Sequence, residues 1–164
     1  MRTTDTSGTL TRLFAELVDG TAAFDGGYIL NTGDAGLLAS LDKLSAADAS
    51  RSTNDGATVA AHTQHLRYGL SLMNRWAAEG GNPFADAKWD EAWKTREVNA
   101  HAWDEIRAGF RDEAQRWMAV LRAPREVNEI ELNGMVASIA HLAYHIGAIR
   151  QIDKSARGPR EGTY

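Results

Sequence analysis

Residues 55–79 read DGATVAAHTQHLRYGLSLMNRWAAE. Within them His62, His65, Leu66, Gly69, Leu72, Met73 and Trp76 recur at steps of three and four, the spacing of one helical face. Asp55 is placed to cap this helix and Gly80-Gly81 to end it, so the pattern predicts a long amphipathic helix from about Asp55 to Glu79. Its inward stripe carries two histidines.

The same period recurs on both sides of this stretch. Upstream, Leu10, Leu13, Phe14, Leu17, Val18, Thr21 and Phe24 form one face of a first long helix, with Arg12, Glu16 and Asp19 opposite. Gly26-Gly27 interrupts it, residues 36–41 suggest a brief helix, and the polar run from Ser45 to Asp55 reads as a loop. Downstream, residues 82–98 form a long connection containing Trp89 and Trp93. Its expected role is a short helix covering one end of the core, with direct contact to a ligand as the alternative. Trp103, Ile106, Phe110, Ala114, Trp117 and Leu121 mark a third long helix from about Asn99 to Arg122, whose other face bears Glu105, Arg107, Arg111, Asp112 and Arg116 as solvated charge. Pro124 closes it. Asn133 is positioned to cap a fourth helix to about Asp153, with Met135, Val136, Ile139, Leu142, Ile146 and Ile149 inward. The tail, Ser155 to Tyr164, should fray. No segment of any length alternates with the period of a strand. The expectation is one all-α domain over residues 1–164, most simply a four-helix bundle with a long crossover loop.

Composition narrows the chemistry. The 164 residues are 43% hydrophobic and 24% charged, ordinary for a globular domain, and large enough to fold without a structural metal. Lys and Arg number 18 against 22 for Asp and Glu, a net charge of −4 that leaves no basic excess for a phosphate backbone, so nucleic acid is not an expected partner. Cysteine is absent, which excludes disulfides, thiolate-ligated zinc, iron–sulfur clusters and a protein thiol nucleophile. The opening residues MRTTDTSGTL have no apolar leader, and no run approaches the ~20 uninterrupted apolar residues of a membrane span; the expected location is cytoplasmic, with no membrane partner.

Four of the five histidines fall in two blocks, His62-Thr-Gln-His65 and His141-Leu-Ala-Tyr-His145. Residues four apart on a helix stack on one face, so His141 and His145 can converge on one metal ion, and an imidazole from the second long helix would complete a set of three. Several imidazoles on apolar faces each need a partner and resist protonation; a cation meets both demands. Periodicity does not decide between His62 and His65, since both lie near the inward stripe. Di-iron carboxylate bundles require Glu-x-x-His, and no Glu here has His three residues later. Zinc proteases require Glu directly after the first His, where Leu142 stands. Bis-histidine haem ligation remains compatible with the spacing, though nothing else marks a haem pocket.

The blocks VAAHTQHLRY (59–68) and HLAYHIGAIRQ (141–151), separated by a Trp-bearing loop and a helix, resemble the DinB-like (DinB/YfiT-like) family of metal-dependent four-helix bundles, and the resemblance runs from the first helix to about Ile152. It implies an up-down-down-up bundle, commonly dimeric. It also implies a divalent metal, most often zinc or nickel, held by His65, His141 and His145, with His62 as a neighbour or supporting group. Characterised members of that family include thiol-S-transferases that use bacillithiol and isomerases that use mycothiol.

Three neutral imidazoles leave a tetrahedral ion one open position, as in catalytic sites. A small thiol bound there becomes a thiolate at neutral pH, which suits a chain with no cysteine of its own. The leading expectation is transfer of a low-molecular-weight thiol of the bacillithiol, mycothiol or glutathione type to a small electrophile. A metal-hydroxide hydrolase and a non-enzymatic metal- or ligand-binding bundle are the alternatives. Tyr144 is the nearest candidate for a general acid or base; no catalytic residue is otherwise indicated.

Overall fold

The computed structural model describes residues 2–4 and 6–160, and these form an all-α protein. Four long helices carry the architecture: α1 (Ser7–Asp19), α4 (Val59–Glu79), α6 (Ala100–Arg122) and α7 (Glu129–Ile152). Shorter helices α2 (Gly36–Asp42), α3 (Ala46–Ala49) and α5 (Trp89–Ala92) sit in the connections, and a 3-10 turn, Lys154–Ala156, follows α7. Among the described residues there is no strand; an isolated antiparallel bridge joins Arg2 and Glu126.

The principal contacts close a ring: α1 packs on α6 and α7, and α4 packs on the same two helices. Phe14, Leu17, Val18, Leu66, Leu70, Phe110, Leu121, Leu142 and Ile149 interlock in its centre. Two buried indoles keep their N–H groups bonded there, as burial of a polar group demands. Trp103 Nε1 donates to the Leu44 carbonyl at 2.8 Å and Trp117 Nε1 to Ser138 Oγ at 2.9 Å.

Several boundaries differ from the sequence reading. The first helix stops at Asp19 instead of continuing to Phe24. Gly20 takes φ +89° and its backbone lies so close to residues 34–35 that a Cβ would stand 2.2 Å from the Asp34 carbonyl oxygen. Only glycine fits that turn. Asp55 does not cap α4: Asn54 and Asp55 form a left-handed turn, and Thr58 caps instead, its hydroxyl accepting from Ala61 N–H. The stretch 45–55 is not all loop, because Ser45 and Asp48 build a reciprocal capping box that starts α3. Asn128 and Glu131 build another, so α7 begins at Glu129, a full turn before Asn133. Val136, expected inward, is 52% exposed.

Glu16 is the largest departure. Expected on the solvated face, it is fully buried, and its carboxylate accepts from the backbone N–H groups of Tyr28, Ile29 and Leu30 at 2.9, 2.6 and 2.7 Å. The charge is tolerated because three donors replace its water. Part of the expected frayed tail is also docked. Asp153 caps the 3-10 turn, Ala156 is buried, and Asn31 donates to the Pro159 carbonyl. Residues 161–164 lie outside the described residues.

By length and composition α7 is apolar enough to cross a membrane, with mean hydropathy 1.2 over an 18-residue window, 39% of which is buried within the protein. Met135, Ile139, Leu142, Ile146 and Ile149 account for that buried side by packing in the core.

Candidate metal centre

α4 and α7 face each other where both carry histidine. Thr58 starts α4 one turn before His62, and the uninterrupted helix repeats that face at His65. α7 presents His141 and His145 one turn apart. His62, His65 and His145 are buried and His141 is half-buried.

Contact distances define the centre. His141 Nε2 lies 2.9 Å from His145 Nε2 and 3.2 Å from His65 Nε2, and one ring nitrogen from each of these three histidines lies within 4.8 Å of the others. An imidazole nitrogen has a single in-plane valence, filled either by a proton or by a lone pair. His141 Nε2 therefore cannot hydrogen-bond both neighbours. A cation in the middle takes three lone pairs at once, and at Zn–N distances of about 2.0–2.1 Å the edge of a ligand tetrahedron is about 3.3 Å, close to the two shorter separations. The donor set fits a divalent ion such as zinc or nickel, and imidazole alone does not choose between them.

With the three Nε2 atoms as donors, each ring carries its proton on Nδ1. His145 Nδ1 sits 2.8 Å from His62 Nδ1, so His145 donates to His62 and its orientation is fixed from behind. This places His62 outside the set of three and in contact with it. His65 Nδ1 is buried with no partner among the described residues.

Aromatic rings cover the cluster. Trp93 stacks on His65 with centroids 4.3 Å apart and meets His62 edge-on at 5.2 Å; Trp89 lies 5.3 Å from His65. The connection after α4 thus forms a short helix that closes the histidine end of the core. Tyr144 lies edge-on to His145 yet is 70% exposed, so it packs on the outside of the cluster. Among the described residues no carboxylate joins this group of possible ligating atoms.

Burial holds these imidazoles neutral. Desolvation, reinforced by the neighbouring rings, pushes His145 down to about 3 and His65 down to about 4, and burial also lowers His62 and His141. Neutral imidazole is the form that binds metal.

The stacking of Trp93 on His65 and the His62–His145 contact were not derivable from spacing. The only signal for the first was an aromatic pair in an otherwise polar connection. Comparison of the chain with protein-family models, with characterised proteins and with solved structures finds no match.

Proposed function

We propose that this protein binds one divalent ion through His65, His141 and His145 and uses it to transfer a low-molecular-weight thiol to a small electrophile. The observation that carries the reading is the convergence of three neutral imidazole nitrogens on one point, in a chain that has no cysteine. Zinc or nickel is the ion we favour. Bound there, it would keep its full charge and an open coordination position, and so lower the pKa of a thiol placed on it.

The chain's own residues do the rest. His141 and His145 fix two donors on one rigid helix, His65 supplies the third from α4, and His62 Nδ1 accepts a hydrogen bond from His145 Nδ1–H that holds its tautomer. Trp89 and Trp93 exclude water from the histidine face, which strengthens every charge interaction within. A hydrolase built on the same ion would need an acid or base positioned beside the bound water, and Tyr144, the candidate for that role, lies on the outside of the cluster at 70% exposure.

We read the fold as the up-down-down-up bundle of the DinB-like family. The ring of contacts among α1, α6, α4 and α7 supports it, and so does the connection of residues 80–99, which at roughly 3.3 Å per residue is long enough to return along α4 and let α6 run parallel to it. We further propose a cytoplasmic homodimer that contacts neither nucleic acid nor membrane. α7 carries no Asp, Glu, Lys or Arg between Glu131 and Arg150, and its outer face exposes Val136 and Tyr144, a surface a second copy could cover. Light scattering at micromolar concentration gives twice the chain mass if so; a monomer removes that part.

The activity is tested by assaying one electrophile with metal alone, bacillithiol, mycothiol or glutathione alone, and metal with each thiol. Conversion only with both supports the reading. Turnover of an ester or amide without thiol would establish the hydrolase instead.

A further inference from the structure

A cleft of about 200 Å³ opens between α4 and α7 on the other side of His141. Leu66, Leu70, Met73 and Leu142 form its walls, and Phe84 and Trp89, stacked nearly parallel, form its lid. Gly69, with no side chain, leaves its floor open. A Cβ there would point at the Trp89 ring at 3.7 Å and at His141 Cε1 at 4.0 Å, into the space between the lid and the candidate ligand.

Among the described residues no charged side chain lines the cleft. Of its polar groups, the Ser138 hydroxyl is already spent, accepting from Trp117 Nε1 at 2.9 Å and donating to the Met135 carbonyl at 2.7 Å. His141 is shared with the metal centre, where its Nε2 points. An occupant therefore finds mostly apolar contact, with His141 and the indole N–H of Trp89 as the hydrogen-bonding groups left on the lining side chains. Cellular thiols carry amide, carboxylate or sugar groups, whose desolvation here would go largely uncompensated. A hydrocarbon or aryl group loses nothing by entering, and an apolar cavity of about 150 Å³ suffices for benzene.

We infer that this cleft receives the uncharged hydrocarbon or aryl portion of the small-molecule electrophile, so that the reacting carbon lies beside His141 and the ion while the polar thiol approaches from outside the cleft. This rests on the metal-centred reading above and adds the substrate class to it. Each methylene buried should tighten binding about fourfold, until the cleft is full.

The experiment titrates the zinc-loaded protein calorimetrically with acetohydroxamic, phenylacetohydroxamic, 3-phenylpropionohydroxamic and 4-phenylbutyrohydroxamic acids, whose head groups bind zinc. In parallel, the Met73 methyl signal of the chelated protein is followed by NMR on adding n-butylbenzene. Affinity is expected to rise roughly ten- to a hundredfold from the acetyl to the best phenylalkyl compound, and butylbenzene to shift Met73. Gly69→Leu, which fills the cleft, should abolish the gain and the shift while zinc stays at one per chain. Ala137→Leu, on the opposite wall, provides the same test should Gly69→Leu fail to fold. Equal affinity across the series together with an unmoved Met73 signal overturns the cleft. Hydroxamates that bind the chelated protein as well as the zinc-loaded one, with Met73 still shifted by butylbenzene, would overturn the metal reading and leave the apolar site standing.

Discussion

Lowering the pH of the chelated protein from 7 to 5 should destabilise it by about 4 kcal/mol through His65 and His145, with His62 and His141, also lowered by burial, acting in the same direction. His65 and His145 have folded-state pKa values near 4 and near 3, against 6.5 when exposed. For a histidine whose folded pKa is depressed, the unfolded chain binds more protons below 6.5. Its contribution to stability is fully present above that value and is lost as pH falls toward the folded pKa. Integrating the proton difference from pH 7 to 5 gives about 2 kcal/mol for each residue, because the first half unit of pH or so passes before the unfolded imidazole is half protonated. Asp48 and Asp153 have lowered pKa values and so remain ionised over this interval, while Asp19, whose carboxyl pKa burial raises, binds protons more readily in the folded state and works in the opposite direction. Set against a domain stability of about 5–15 kcal/mol, such a loss is large. Urea unfolding followed by circular dichroism in the presence of chelator should show a lower midpoint at pH 5 with an unchanged slope. A loss below about 1 kcal/mol would show that the imidazoles are not buried neutral and would refute the packing described here.

Three other outcomes follow from particular contacts. Chelation at pH 7 should leave the helical circular dichroism intact and at most lower the melting temperature, because the core around Phe14, Phe110 and Leu142 closes without the ion; outright unfolding on metal removal would contradict this. Glu16→Ala should cost about 3–5 kcal/mol in urea unfolding, since three backbone N–H groups lose their acceptor, and Glu16→Gln, which keeps a carbonyl oxygen, should cost less than half as much; equal costs would mean that charge, not donor satisfaction, holds the loop. Trp93→Ala should raise the His65 pKa of the chelated protein from about 4 toward 6.5 in an NMR titration, because burial is the first cause of its depression; an unmoved titration would show that Trp93 does not shield it.

The helices were legible where one period ran through many residues. The apolar stripe of α6 names all six of its buried side chains. That of α7 omits Ser138 and His145 and wrongly includes Val136. That of α4 omits Val59, Ala60, Ala61, Thr63 and Leu70, which packing against several neighbours buries as well, and includes Trp76, which is only half-buried. Boundaries were not legible to the same degree. The end of α1 depends on the close approach of Gly20 to residues 34–35, a tertiary contact that no local pattern contains. Thr58 and Asn128 won over Asp55 and Asn133 because cap strength depends on the conformation of the preceding turn, and several polar residues in each stretch were chemically competent. Glu16 misled for a related reason: its position on the helix wheel is polar by composition, and its partners are backbone groups of a loop more than ten residues away. At the candidate site, the His141–His145 pair was readable from its spacing. The choice between His62 and His65 was not, because a helix face is wide enough to admit both. It takes the three-dimensional approach of α4 to α7 to put His65 beside His141 and to turn His62 toward the back of His145.

The most direct test of the account is metal content. The purified protein and its His62→Ala, His65→Ala, His141→Ala and His145→Ala variants, each checked for helical circular dichroism, would be dialysed against zinc or nickel and measured by elemental analysis. The account predicts one ion per chain in the parent, none above background when His65, His141 or His145 is replaced, and one ion held about 10–100-fold more weakly when His62 is replaced. Stoichiometric metal in all three ligand variants, or its loss with His62→Ala but not with His65→Ala, would contradict it.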